Sequence, residues 1–112
     1  MIERTWDDEW TALYLEFVLY ARRNPEAHEM LVATTRRQRE STIAMLERAY
    51  GQIDRAPNFP IPVLATISLA VFEGLGVGRL VDPPAFTQEV LTDALTFLFK
   101  TIGVDAPEEP VG

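Results

Sequence analysis

Cysteine is absent from this chain of 112 residues, and histidine occurs once, at position 28. Without cysteine there are no disulfides, thiolate metal sites or cysteine nucleophiles, and the usage fits a reducing, cytoplasmic setting. A metal centre needs clustered histidines, cysteines or carboxylates, and His28 stands alone among acids at the start of a helical segment. It reads as a surface histidine, so no metal and no cofactor is expected. Ser41 and Ser68 are the only serines, neither in a nucleophile-elbow pattern, and a serine inside a helix ordinarily packs or bonds back to its own backbone. No catalytic residue is expected, and the chain does not read as an enzyme. Positive charge is also scarce: ten Lys and Arg against seventeen Asp and Glu leave −7. Such a surface repels a phosphate backbone, which argues against nucleic-acid binding by this chain alone. The first ten residues are too charged for a signal peptide. The longest strongly apolar run, residues 61–72, is interrupted by Pro62, Thr66 and Ser68 and falls short of the ~20 residues that cross a bilayer. A soluble cytoplasmic protein without membrane contact is expected.

What remains is helical. No strand alternation and no fixed-period repeat occurs, and punctuation divides the chain into four helices. The first opens at Thr5 as N-cap, with Asp7, Asp8 and Glu9 suited to the positive end of the helix dipole. Trp6, Trp10, Leu13, Tyr14, Phe17 and Ala21 recur at spacings of three and four, while Leu15 and Leu19 form a second apolar face. This helix is expected to have neighbours on two sides. Asn24-Pro25 starts the second helix, which is expected to stop at Gly51. Its inward stripe is apolar at both ends (Ala27, Met30, Leu31; Met45, Leu46, Ala49) and polar between them (Thr34, Gln38, and Ser41 or Thr42). Residues 51–62 read as a loop of about a dozen residues, because three prolines and a glycine forbid a regular element. The third helix, from Ile61 to about Leu80, is apolar nearly all round, so every side of it needs cover. In a chain this small a partner subunit is the obvious cover. After Asp82-Pro83-Pro84 the fourth helix follows, with Thr87 as N-cap and a wide apolar face. Charge is uneven: residues 1–56 carry −2 and residues 57–112 carry −5, with Arg79 and Lys100 the only bases in the latter. The third and fourth helices therefore compose like an interface.

Several features admit more than one reading. Gly74, Gly76 and Gly78 lack both the spacing and the strand-to-helix context of a dinucleotide fingerprint. Ala70, Gly74 and Gly78 instead line one stripe that lets another helix approach closely. Arg36, Arg37 and Arg39, beside Glu40, read as a solvated face, with anion binding the alternative. Glu73, the only acid in the third helix, sits at a subunit edge, pairs with an arginine or faces a cavity. The aromatics of the first helix are either core or the wall of an apolar pocket, with Thr34, Gln38 and Ser41 available as its polar groups.

The stretches LYLEFVLYARRNPEAHEMLV and TTRRQRESTIAMLERAYG, followed by LATISLAVFEGLGVGRLVDPPAFTQEVLTDALTFLF, resemble the regulatory half of TetR-family transcriptional repressors. The resemblance covers about residues 6–102 and lies in a pattern more than in a motif. A complete family member carries a basic three-helix DNA-binding segment before this region, and nothing here matches it. The expectation is a ligand-binding domain either cut from its DNA-reading head or naturally without one. The resemblance implies a homodimer in which the last two helices of each subunit form a four-helix bundle, and a small-molecule pocket among the earlier helices. An effector there shifts the spacing of the DNA-binding heads.

The expected fold is all-α, with four main antiparallel helices and the intersubunit bundle, spanning residues 1–102, followed by a disordered acidic tail at 103–112. The expected function is effector binding and homodimerisation for a TetR-like repressor that senses a small, mostly apolar or aromatic molecule. The alternative is a purely structural helical dimerisation module with a filled core. The expected pocket residues are Trp10, Tyr14, Phe17, Thr34, Gln38 and Phe72. The expected dimer contacts are Ile67, Ala70, Val71, Gly74, Leu75 and Gly78, with Leu91, Leu95, Leu98 and Ile102 from the last helix.

Overall fold

The computed structural model describes residues 8–104, and the regular structure among them is four α-helices and one short 3-10 turn. The first helix, α1 (Asp8–Ala21), has Asp8 and Glu9 in its first turn, where they meet the exposed N–H groups. Thr5 and Trp6 lie outside the described residues. α2 (Pro25–Ile53) begins where the sequence indicates: the Asn24 side chain accepts the Ala27 N–H at 3.0 Å, and proline occupies the first turn.

α2 does not stop at Gly51, as the sequence led us to expect. It continues to Ile53 and ends on Asp54, a left-handed residue (φ 51°, ψ 47°) whose N–H reaches the Tyr50 and Gly51 carbonyls. A glycine in a helix costs only about 1 kcal/mol, which a following cap can offset, and aspartate tolerates the left-handed cap conformation. The loop is consequently residues 54–60, shorter than expected. Gly51 has open space around it: beyond its own helix backbone, no described atom lies within 4 Å of an added Cβ. Gly51→Ala is therefore expected to raise stability by roughly 0.5 kcal/mol in a denaturant titration.

α3 (Ile61–Val81) passes through all three of its glycines and ends at Asp82. With 21 residues and a mean hydropathy of 1.8, it is long and apolar enough to cross a membrane by length and composition. The run of residues 61–72 is the first part of this helix, and the apolar pattern resumes after Glu73. A 3-10 turn (Pro83–Ala85) leads to α4 (Gln88–Ile102), whose N-cap Thr87 accepts the Val90 N–H at 3.2 Å. Gly103 (φ 85°) caps its C-terminus, the left-handed conformation that glycine adopts without penalty. Val104 is buried, so the folded part runs two residues beyond the expected boundary at 102. The rest of the expected tail, residues 105–112, lies outside the described residues.

α1 packs against both α2 and α3, the two neighbours its two apolar faces call for, and α2 packs along α3. The centre of the core is Leu46 and Tyr50 of α2, Leu64 and Ala65 of α3, and Leu98 and Ile102 of α4. The inward faces differ from the sequence reading by a rotation. On α2, Ala27, Leu46 and Tyr50 are buried and Thr35 half-buried, while Met30, Thr34, Gln38, Ser41 and Met45 are exposed. On α1, Leu15 and Val18 turn inward with Tyr14, Phe17 and Ala21, and Trp10 and Leu13 turn outward. Each helix carries apolar residues over a wide arc, so periodicity admits neighbouring rotations, and the three-helix contact selects one.

The end of α4 is fastened to the end of α2. The Tyr50 hydroxyl donates to the Ile102 carbonyl, Arg55 Nη1 to the Gly103 carbonyl at 3.0 Å, and Asn58 Nδ2 to the Thr101 carbonyl at 3.2 Å. The last carbonyls of a helix have no partner within the helix, and here three side chains from distant sequence supply them. The glycine stripe of α3 divides. A Cβ at Gly78 would lie 2.3 Å from the Phe86 ring, so this glycine admits the chain's own aromatic side chain. Gly74 meets nothing within 4 Å. The radius of gyration is 15.4 Å, against about 13 Å for a compact globule of ~100 residues.

Candidate functional site

α1, α2 and α3 converge on a cleft of about 370 Å³. Tyr14 comes from α1; Thr35, Arg36, Gln38 and Arg39 come from α2; Thr66, Leu69, Ala70 and Glu73 come from α3. The Tyr14 hydroxyl donates to Glu73 Oε1 at 3.2 Å, tying α1 to α3 across one wall. Arg39 Nε donates to Thr66 Oγ1 at 3.1 Å, tying α2 to α3 across another. Thr66 in turn donates to the Pro62 carbonyl at 2.9 Å, so its oxygen is aimed at Arg39. Partial burial raises the Tyr14 pKa above the usual tyrosine value, and the charge and hydrogen bond of Glu73 raise it further. Tyr14 is therefore a neutral hydroxyl donor throughout the physiological range. Beyond the cleft, Asp8 and Arg79 form an ion pair at 3.4 Å that joins the start of α1 to the end of α3.

Of the expected pocket residues, Tyr14 and Gln38 line this cleft, and Trp10, Phe17, Thr34 and Phe72 do not. Trp10 is 61% exposed on α1, and the Phe17 ring lies 6.4 Å from that of Tyr20 on the same helix. Thr34 is exposed and donates to the Met30 carbonyl at 2.9 Å, and the α2 threonine that lines the cleft is Thr35. Phe72 is half-buried on α3. Glu73 lines the cavity, one of the three placements open to it in the sequence, and its partner is a tyrosine hydroxyl. Arg36 and Arg39, which read as a solvated face, are the cationic side chains of the cleft. Their spacing of three places both on one side of α2 together with Thr35, a signal usable only once the helix rotation is known. A second depression, of about 450 Å³, lies at the junction of α1 and α2, lined by Arg22, Arg23, Pro25, His28 and Glu29 among others. It brings together none of the expected pocket residues.

The expected dimer residues fall into two groups. Ile67 and Gly74 lie exposed on α3, Ala70 is exposed at the cleft, and Val71, Leu75 and Gly78 are half-buried. Leu91, Leu98 and Ile102 are buried within the chain itself, with Leu98 and Ile102 in the core cluster. Leu95 is half-buried, and the large apolar side chains α4 exposes are Val90 and Phe97.

Among the described residues no group of three or more potential metal ligands occurs. Comparison with curated proteins and with solved structures finds no match. The family model for the C-terminal domain of BetI-type transcriptional repressors matches residues 3–102, the entire four-helix unit, and the chain belongs to this TetR-type family of regulatory domains.

Proposed function

We propose that this chain is the effector-binding and homodimerising domain of a TetR-like repressor, acting in the cytoplasm. A small molecule enters the cleft between α1, α2 and α3, and its binding is relayed to a DNA-binding head outside this chain. The observation that carries the reading is the cleft itself, in a chain of this family. Three helices meet there without filling the space, and each contributes a polar side chain to it. Leu69, Ala70 and the Tyr14 ring offer an apolar floor, and the surrounding polar groups fix orientation, the usual composition of a small-molecule site. Because α2 carries both the cleft residues and Tyr50, a shift of α2 on binding moves the end of α4 with it.

The dimer half of the proposal rests on uncovered apolar surface. Only 22% of the apolar window of α3 is buried, and Val63, Ile67, Val81, Val90 and Phe97 are large, apolar and exposed. The outer faces of α3 and α4, packed against the same faces of a second copy, give this surface cover. Gly74→Leu is the direct test, since nothing among the described residues approaches that position. The variant is expected to fold normally and to lose its dimer in light scattering. A dimer of unchanged strength would remove the α3 face from the interface. For the ligand half, a binder raises the melting temperature in a thermal-shift screen of small metabolites. No shift across a broad panel favours a structural dimerisation module instead.

A further inference from the structure

The charges of the cleft are spread along it. Arg36 and Arg39 project from α2, with Arg39 bonded to Thr66 near the start of α3, and Glu73 with the Tyr14 hydroxyl lies about two turns further along α3. Among the described residues the one ion pair is Asp8–Arg79, so neither guanidinium pairs with a described carboxylate, Glu73 included. Arg39 uses Nε on Thr66 and keeps its two terminal nitrogens for another acceptor. Glu73 uses Oε1 on Tyr14 and keeps acceptor capacity on its second oxygen. A space lined by two guanidinium groups without a carboxylate partner among the described residues, and by a carboxylate about two turns along α3 from the Arg39 contact, fits an occupant with the reverse order.

We propose, building on the effector reading above, that the cleft selects a small carboxylate bearing a hydrogen-bond donor at its far end. The guanidinium groups of Arg36 and Arg39 take the carboxylate, whose planar geometry their fork of N–H donors matches. Glu73 and Tyr14 take a hydroxyl or ammonium donor, and Leu69 and Ala70 contact the body between them. A singly charged head suits the site better than a phosphate, because Glu73 and a net charge of −7 repel a second negative charge.

Three probes with one skeleton and different heads test the assignment: para-hydroxyphenylacetate, tyrosol and tyramine. In calorimetric titrations the carboxylate is expected to bind at least about tenfold more tightly than the alcohol or the amine. In the Arg36→Gln, Arg39→Gln double variant, affinity for the carboxylate is expected to fall to that for tyrosol. Both residues are exposed, and circular dichroism checks that the helices are intact. Tyrosol or tyramine binding as tightly as the carboxylate would overturn the head-group assignment while leaving the effector reading in place. Carboxylate binding unchanged in the double variant would also overturn it. Binding of none of the three would overturn this assignment, and the effector reading is then decided by the broad thermal-shift panel.

Discussion

Leu46→Ala is expected to destabilise the domain by about 2–5 kcal/mol, the cost of a fully buried leucine truncated where neighbours collapse only partly. Leu46 is 1% exposed at the centre of the core cluster, among side chains from α2, α3 and α4. Its removal leaves a cavity where these helices meet. For a domain of this size the loss corresponds to a fall in melting temperature of more than about 10 °C. The adjacent Met45→Ala serves as the contrast. Met45 is 41% exposed, and its truncation is expected to change stability by only about 0.5 kcal/mol. Thermal denaturation of the two variants side by side checks both the core and the rotation of α2. Equal losses would mean that the inward face is wrongly placed.

Tyr50→Phe is the second large effect, expected to cost about 1–3 kcal/mol. The ring is buried, and its hydroxyl donates to the Ile102 carbonyl, so phenylalanine keeps the packing and orphans a buried acceptor. Truncation of Arg55 or Asn58, whose bonds to the neighbouring carbonyls are exposed, is expected to cost less. Tyr50 also sets a pH dependence. Burial raises its pKa above the tyrosine value, and the nearby Arg55 offsets part of that rise. A raised folded-state pKa means that the unfolded chain releases the proton first as pH increases. The Tyr50 contribution is therefore complete below pH ~10 and is lost as pH rises through the folded-state value. Tyr14, shifted in the same direction, adds to the alkaline loss. Tyr50→Phe is expected to flatten the decline without abolishing it, and urea titrations across the alkaline range measure this.

The starts of α2 and α4 were readable because their signals are local. Asn24 and Thr87 cap the helices they precede, and each needs only the N–H three residues on. The stop of α2 was not, because Gly51 is permissive within the helix and the left-handed cap is an aspartate, Asp54, three residues on. Within the cleft, Tyr14, Gln38 and the singular Glu73 stood out from residue type and position. Arg36 and Arg39 did not, because a charged pair on a long helix looks the same whether it meets water or a cleft.

The sequence by itself determined an acidic, all-helical, cysteine-free chain with four segments, and a pattern that matches the BetI-type repressor C-terminal family. Composition, capping and spacing act along the chain, so no fold is needed to read them. Only the tertiary structure decided how far each helix is rotated about its own axis. That rotation put Thr35 rather than Thr34 at the cleft and brought Arg36 and Arg39 into it with Glu73. It also drew Leu98 and Ile102 into the core while leaving Ile67 and Gly74 outside. Helices with wide apolar arcs can bury more than one face, and the choice comes from which neighbours their side chains pack against.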